Sequence, residues 1–181
     1  MVNNIFLDKY NPKRDVQYAL TQSIKASLQH NPTYSKDIDM FLKTEFRDYW
    51  KMRLQQIGGC FLEVRDLNFY LDQVVVFSTE MNSKYFQILN PNKENYDNGF
   101  RIAHSQKSIS VYLKHLWCMD VIPAPPCCPL DRIISERAGV LLPVSWTKMN
   151  RISDVEFALN LFQELAARQN KSLCQWELEL F

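Results

Sequence analysis

Apolar residues recur every three or four positions along most of this chain, the spacing that turns one face of a helix toward a core. Val16, Ala19, Leu20, Ile24 and Leu28 carry the first such stripe. Asn11-Pro12 reads as an N-cap with proline in the first helical turn, and Asn31-Pro32 as a stop. Ser35 then caps a predicted helix with Ile38, Phe41, Leu42, Phe46, Tyr49, Trp50 and Ile57 on its apolar face, ended by Gly58-Gly59. Residues 72–78 are ambiguous, because Val74-Val75-Val76-Phe77 suits a buried strand. Leu67, Leu71, Val74, Ser78, Met81, Tyr85 and Ile88 nevertheless share one helical face, and the segment outruns a typical strand, so helix is favoured.

The run Asn90 to Gly99, N-P-N-K-E-N-Y-D-N-G, is the clearest loop and the expected boundary between two lobes, 1–90 and 100–181, of one helical domain. Ile109, Tyr112, Leu113, Leu116 and Trp117 predict an amphipathic helix from about Ser105 to Met119, with Leu113, Leu116 and Trp117 buried. Pro123, Pro125, Pro126 and Pro129 hold the next segment on a fixed path, and Asp131 is positioned to cap a short helix through Arg137. Ser153-Asp154-Val155-Glu156 has the form of a capping box, followed by Leu159, Phe162, Leu165 and Ala166 at helical spacing. The tail from Leu173 alternates weakly and is expected to pack onto the body, with Trp146 and Trp176 as core or interface anchors.

These elements make an all-α fold, a compact multi-helix domain. Composition agrees: 181 residues with 46% hydrophobic and 13% aromatic content suffice for a sizeable core, and four glycines are too few for a hairpin-rich β protein. A net charge of +1 gives no global pull toward nucleic acid or membrane, so a nucleic-acid role would need a local basic face. Lys43, Arg47 and Lys51, spaced by four, are one such candidate, with Tyr49 and Trp50 nearby for stacking and Arg101 as a further basic residue. Glu45 and Asp48 dilute that stripe, and a solvated face is the usual explanation of such a pattern. No run reaches the length of a membrane span, and the first ten residues lack the charged and apolar blocks of a secretory leader. Five cysteines without framework spacing point to reduced thiols in a cytoplasmic protein. His115, Cys118, Cys127 and Cys128 include an H-x-x-C pair, but adjacent cysteines make poor joint zinc ligands. No metal and no cofactor is therefore expected. His30 and His104 have no partner by spacing, and no phosphate loop, dinucleotide motif or Ser/His/Asp signature occurs.

The segment S-Q-K-S-I-S-V-Y-L-K around Lys107 and P-L-D-R-I-I around Asp131 resembles the helix-hairpin-helix DNA glycosylase superfamily, including its archaeal 8-oxoguanine branch. The resemblance spans about residues 98–134. The family's L-P-G-x-G hairpin is missing, since residues 98–106 read N-G-F-R-I-A-H-S-Q. The resemblance implies a lysine opening one helix and an aspartate opening the next, with Lys107 as nucleophile and Asp131 as its charged partner acting on a DNA base lesion. Such an amine must lose its proton before it attacks a sugar carbon, and a carboxylate stabilises the oxocarbenium charge as the base leaves. The other reading is a non-enzymatic interaction or scaffold protein, in which the aromatic helices and proline loop form a protein-binding surface. The two diverge on one spatial point: an enzyme needs Lys107 and Asp131 together at an open cleft.

Overall fold

Four aspartates begin four of the helices. In the computed structural model, which describes residues 2–29, 33, 38–89 and 99–180, the carboxylates of Asp15, Asp39, Asp66 and Asp131 accept backbone N–H groups in the first turns of the helices they precede. Each satisfies donors that the helix itself leaves bare. The described residues form eight α-helices and no strand. These are α1 (Val2–Tyr10), α2 (Val16–Leu28), α3 (Met40–Cys60), α4 (Leu67–Tyr85), α5 (Ile102–Cys118), α6 (Arg132–Arg137), α7 (Ile152–Ala167) and α8 (Leu173–Leu180), with a single 3-10 turn at Trp146–Lys148. None is long and apolar enough to cross a membrane.

Residues 72–78 are helical, inside α4. The caps differ from expectation in three places. Asp15, not Asn11, caps α2: Pro12 lies in a turn, and the Asn11 carboxamide braces the Asp15 backbone instead. Asp39 caps α3, so that helix starts after Ile38; Ser35, Asn31-Pro32 and the loop at 90–98 lie outside the described residues. α7 starts at Ile152, which puts Ser153 inside the first turn rather than at the cap. Gly58 and Gly59 do not stop α3, which runs to Cys60. Gly58 serves packing: a Cβ there would lie 2.8 Å from the Tyr112 ring, so its absence lets α3 approach α5.

Three helices end with the chain turning through the left-handed region. Asp120 (φ 59°) follows α5, Gly139 (φ 67°) follows α6 and Asn170 (φ 55°) follows α7. At each, two backbone N–H groups bond back to carbonyls of the last turn, as in Val121 N–H to Leu116 O and Val140 N–H to Ser135 O, both 2.9 Å. These are the residue types that tolerate this conformation best.

α5 is the axis of the molecule and contacts α1, α2, α3 and α4. All its residues except Val111 and Trp117 are buried, so the expected amphipathic helix is covered on nearly every side and Trp117 is only half-buried. Its serines make this possible. Ser105 Oγ donates to Val74 O at 2.7 Å, Ser110 Oγ to Gln106 O at 2.6 Å, and Ser108 Oγ accepts from the Trp50 indole at 3.2 Å. Small side chains that satisfy their own hydroxyls let neighbouring helices pack closely without stranding polar groups. The main core around it draws on both halves of the chain, including Phe46, Trp50, Phe77, Phe100, Leu113 and Phe162.

Candidate functional site

α5 begins at Ile102, a turn earlier than its apolar pattern suggests, because His104 closes its N-terminus. His104 Nδ1 accepts the Arg101 N–H at 3.0 Å, and its Nε2 meets Thr33 Oγ1 at 3.1 Å. With Nδ1 accepting, a neutral ring carries its proton on Nε2, which donates to the threonine. Lys107 consequently sits in the second turn of α5 rather than at its start. The resemblance implies a lysine that opens the helix, and here the helix opens five residues earlier, at Ile102.

The proline segment delivers Asp131 as expected. Ile122, Cys127, Cys128 and Leu130 are buried in the core on the way, which pins the path. The two carboxylate oxygens of Asp131 then divide their work. Oδ1 accepts the Ile134 N–H at 2.9 Å and caps α6, while Oδ2 accepts from Lys107 Nζ at 2.6 Å across 24 residues of sequence. The capping bond orients the carboxylate that meets the amine. Only 7% of the Lys107 side chain and 16% of the Asp131 side chain are exposed. The Trp146 ring lies 5.4 Å from the same Nζ, within range of a cation–π contact.

The pair forms a wall shared by two open cavities. One, of about 230 Å³, is also lined by Phe6, Tyr10, Val111, Lys114, His115 and Glu177. The other, of about 600 Å³, lies on the side of Arg132, Leu141, Val144 and Trp146. Its rim follows from the end of α6: once Gly139 reverses the chain, Leu141 projects almost fully exposed while Val140 and Leu142 pack onto the core.

A second ion pair was not visible in the sequence. Lys114 Nζ lies 2.9 Å from Glu177 Oε1 and 2.8 Å from Oε2, with the two side chains 6% and 2% exposed. Lys114 follows Lys107 by seven residues, so both project from one face of α5 about two turns apart. That spacing was a usable signal for Lys114. Nothing local marks Glu177, 63 residues further on in the tail. Burial pushes the Glu177 carboxyl above its usual range, and Lys114 opposes the shift. Lys114 also sits 4.6 Å from the Phe6 ring centre.

His115 completes this cluster. It is 2% exposed, its ring centre lies 5.0 Å from that of Phe6, and its Nδ1 has no hydrogen-bond partner among the described residues. Burial, assisted by the Lys114 charge, lowers its pKa from 6.5 to about 4. The unfolded chain therefore takes up a proton near pH 6.5 that the folded protein resists until about 4. Stability should be complete above that window and fall through it by about 3 kcal/mol as pH drops. Denaturation midpoints measured across the window should show this loss, and His115→Gln should flatten it. An unchanged slope in that variant would assign the acid sensitivity to other groups.

The remaining candidates lie elsewhere. Cys118 is buried with Phe6, Leu7 and Leu178 in a small cluster, apart from Cys127 and Cys128 in the main core. Burial raises all three thiols, Cys118 to about 12, so they stay protonated. Among the described residues, no three His, Cys, Asp or Glu side chains are grouped to hold a metal ion. Lys43, Arg47 and Lys51 do lie along α3, with Lys51 3.6 Å from Asp48, but none of them lines either cavity. Arg101 is buried at 5% exposure and lines neither as well. His30 lies outside the described residues. No protein-family model matches the chain, and neither a curated protein nor a solved structure matches it.

Proposed function

We propose that this protein is a DNA-processing enzyme that excises a damaged base, with Lys107 as nucleophile and Asp131 as its charged partner. The observation that carries the reading is the 2.6 Å contact between the two side chains at the wall of two open cavities. A lysine and aspartate with only a capping role would not need to converge there. Bases are buried in duplex DNA, so an enzyme of this kind draws one out of the stack into a pocket.

In this reading Asp131 Oδ2 takes a proton from the Lys107 ammonium and frees the nitrogen lone pair. The lone pair forms a bond to the sugar C1′ as the glycosidic bond breaks, and that bond's electrons leave with the base, which takes the proton from Asp131. Positive charge spreads over C1′ and the ring oxygen while the base departs, and the carboxylate stabilises it as its proton passes to the base. Asp131 then takes one of the two protons on the bound nitrogen and passes it to the ring oxygen as the bond from C1′ to that oxygen breaks, which leaves an iminium link between Lys107 and C1′ and a free hydroxyl.

Asp131→Asn keeps the helix cap, because asparagine caps about as well as aspartate, and its denaturation midpoint is read beside its rate because Lys107 loses its charged partner. It should slow base release by about a hundredfold or more, the usual scale for a lost proton-transfer group. Duplex affinity should change far less, since the charge matters most in the transition state. Equal losses in affinity and rate would instead mark Asp131 as a binding residue. The interaction-protein reading draws on Met40 and Phe41, 72% and 75% exposed at the start of α3, which would suit a protein partner.

A further inference from the structure

Leu141 stands at the rim of the larger cavity with 96% of its surface exposed. Single apolar residues are common on protein surfaces and mean little alone. The support beneath this one sets it apart. Gly139 turns the chain through the left-handed region, and Val140 N–H bonds back to Ser135 O at 2.9 Å. Val140 and Leu142 pack onto the core on either side of it. Pro143 follows and fixes a further backbone angle. The leucine is thus carried outward on a short, anchored segment. Ile133, 43% exposed, and Val144 line the same cavity and add apolar surface to it. Lys107 and Asp131 line it as well.

A base drawn from a duplex into a pocket leaves a gap in the stack beside the pocket's mouth. The base faces above and below that gap meet water until something apolar fills it. The filler has to project from the rim of the pocket that takes the base, and its backbone has to be anchored. Leu141 meets these conditions at the cavity that holds the lysine–aspartate pair.

We infer that Leu141 enters the base stack in place of the extruded nucleotide, so that the rim of the larger cavity is the face this protein presents to duplex DNA. The inference rests on the DNA reading above and deepens it. It names the form of DNA the site takes, a duplex, and the cavity the nucleotide enters. It does not depend on bond formation by Lys107.

The test measures binding of the full chain by fluorescence anisotropy at fixed ionic strength, because affinity for DNA varies steeply with salt. Three probes of one sequence are compared: an intact duplex, a duplex with one tetrahydrofuran residue, and the single strand carrying that residue. Tetrahydrofuran has neither a base nor a glycosidic bond, so it offers a gap and no reaction. The wild type should prefer the gapped duplex to the intact one by about tenfold or more, the scale of taking a leucine side chain out of water. Leu141→Ala should erase that preference and leave single-strand binding unchanged. Leu141→Met, an apolar side chain of similar volume, should keep it. The inference is overturned if the wild type shows no preference for the gap, or if Leu141→Ala retains it. An equal loss on all three probes would also overturn it and make Leu141 a general contact. The arms stay separate from the enzymatic reading. A leucine-dependent gap preference without covalent reaction on any lesion would keep this inference and remove that reading. Reaction on lesions with Leu141→Ala indistinguishable from wild type in binding would do the reverse.

Discussion

Replacing Glu177 with alanine should destabilise the fold by about 3–5 kcal/mol, because it leaves an ammonium in a site built for a pair. Lys114 keeps only 6% of its side chain exposed, and both of its carboxylate contacts come from Glu177. The pair joins α5 to α8, and Phe6 of α1 lies against the same ammonium, so three helices lose a shared anchor. Removing both charges should behave differently. A Lys114→Met, Glu177→Leu double variant should recover most of the loss or exceed wild type, since apolar residues of similar volume often replace buried pairs without penalty. Urea denaturation of the two single variants and the double variant closes the cycle. Three equal, small effects would mean that water reaches the pair and that the cluster is not closed as described.

Leu113→Ala should cost about 2–5 kcal/mol, the range for a large apolar side chain removed from a core that cannot collapse around the gap. Leu113 has no exposed surface and lies midway along α5, which is packed by α1, α2, α3 and α4. Because those helices are held apart by other residues, the space left behind should stay largely empty. The denaturation midpoint should fall while its slope is kept. A loss near zero would mean that α5 is a surface helix after all.

The helical class and most helix faces could be read from periodicity, because burial of an apolar stripe is a local requirement repeated along the chain. Val74–Phe77 shows the limit of composition. Four strand-favouring residues lie inside α4, where the wider stripe from Leu67 to Tyr85 outweighs their local preference. α1 carries too few periodic apolar positions to stand out; Phe6 and Leu7 are buried only by distant partners such as Cys118 and Leu178. The start of α5 was obscured because His104, bonding back to Arg101, closes the helix in place of a recognisable cap. Lys107 and Asp131 could be singled out from the segments they occupy, and the structure brings them together. Lys114 and Glu177 could not be paired, since nothing in a local window links residues 63 apart. His115 was visible only as a metal candidate, because an unpartnered nitrogen is defined by the groups that fail to reach it.

The claim that Lys107 is a nucleophile has a direct chemical readout. An amine that attacks C1′ passes through an iminium link to the sugar, which borohydride reduces to a permanent secondary amine. Duplexes carrying a panel of single base lesions, incubated with the protein and borohydride, should yield a covalent protein–DNA adduct with at least one lesion. Peptide mapping should place the link on Lys107, and Lys107→Gln should abolish it while keeping the wild-type helical circular dichroism. An adduct mapped to another lysine, or none with any lesion, would contradict the account.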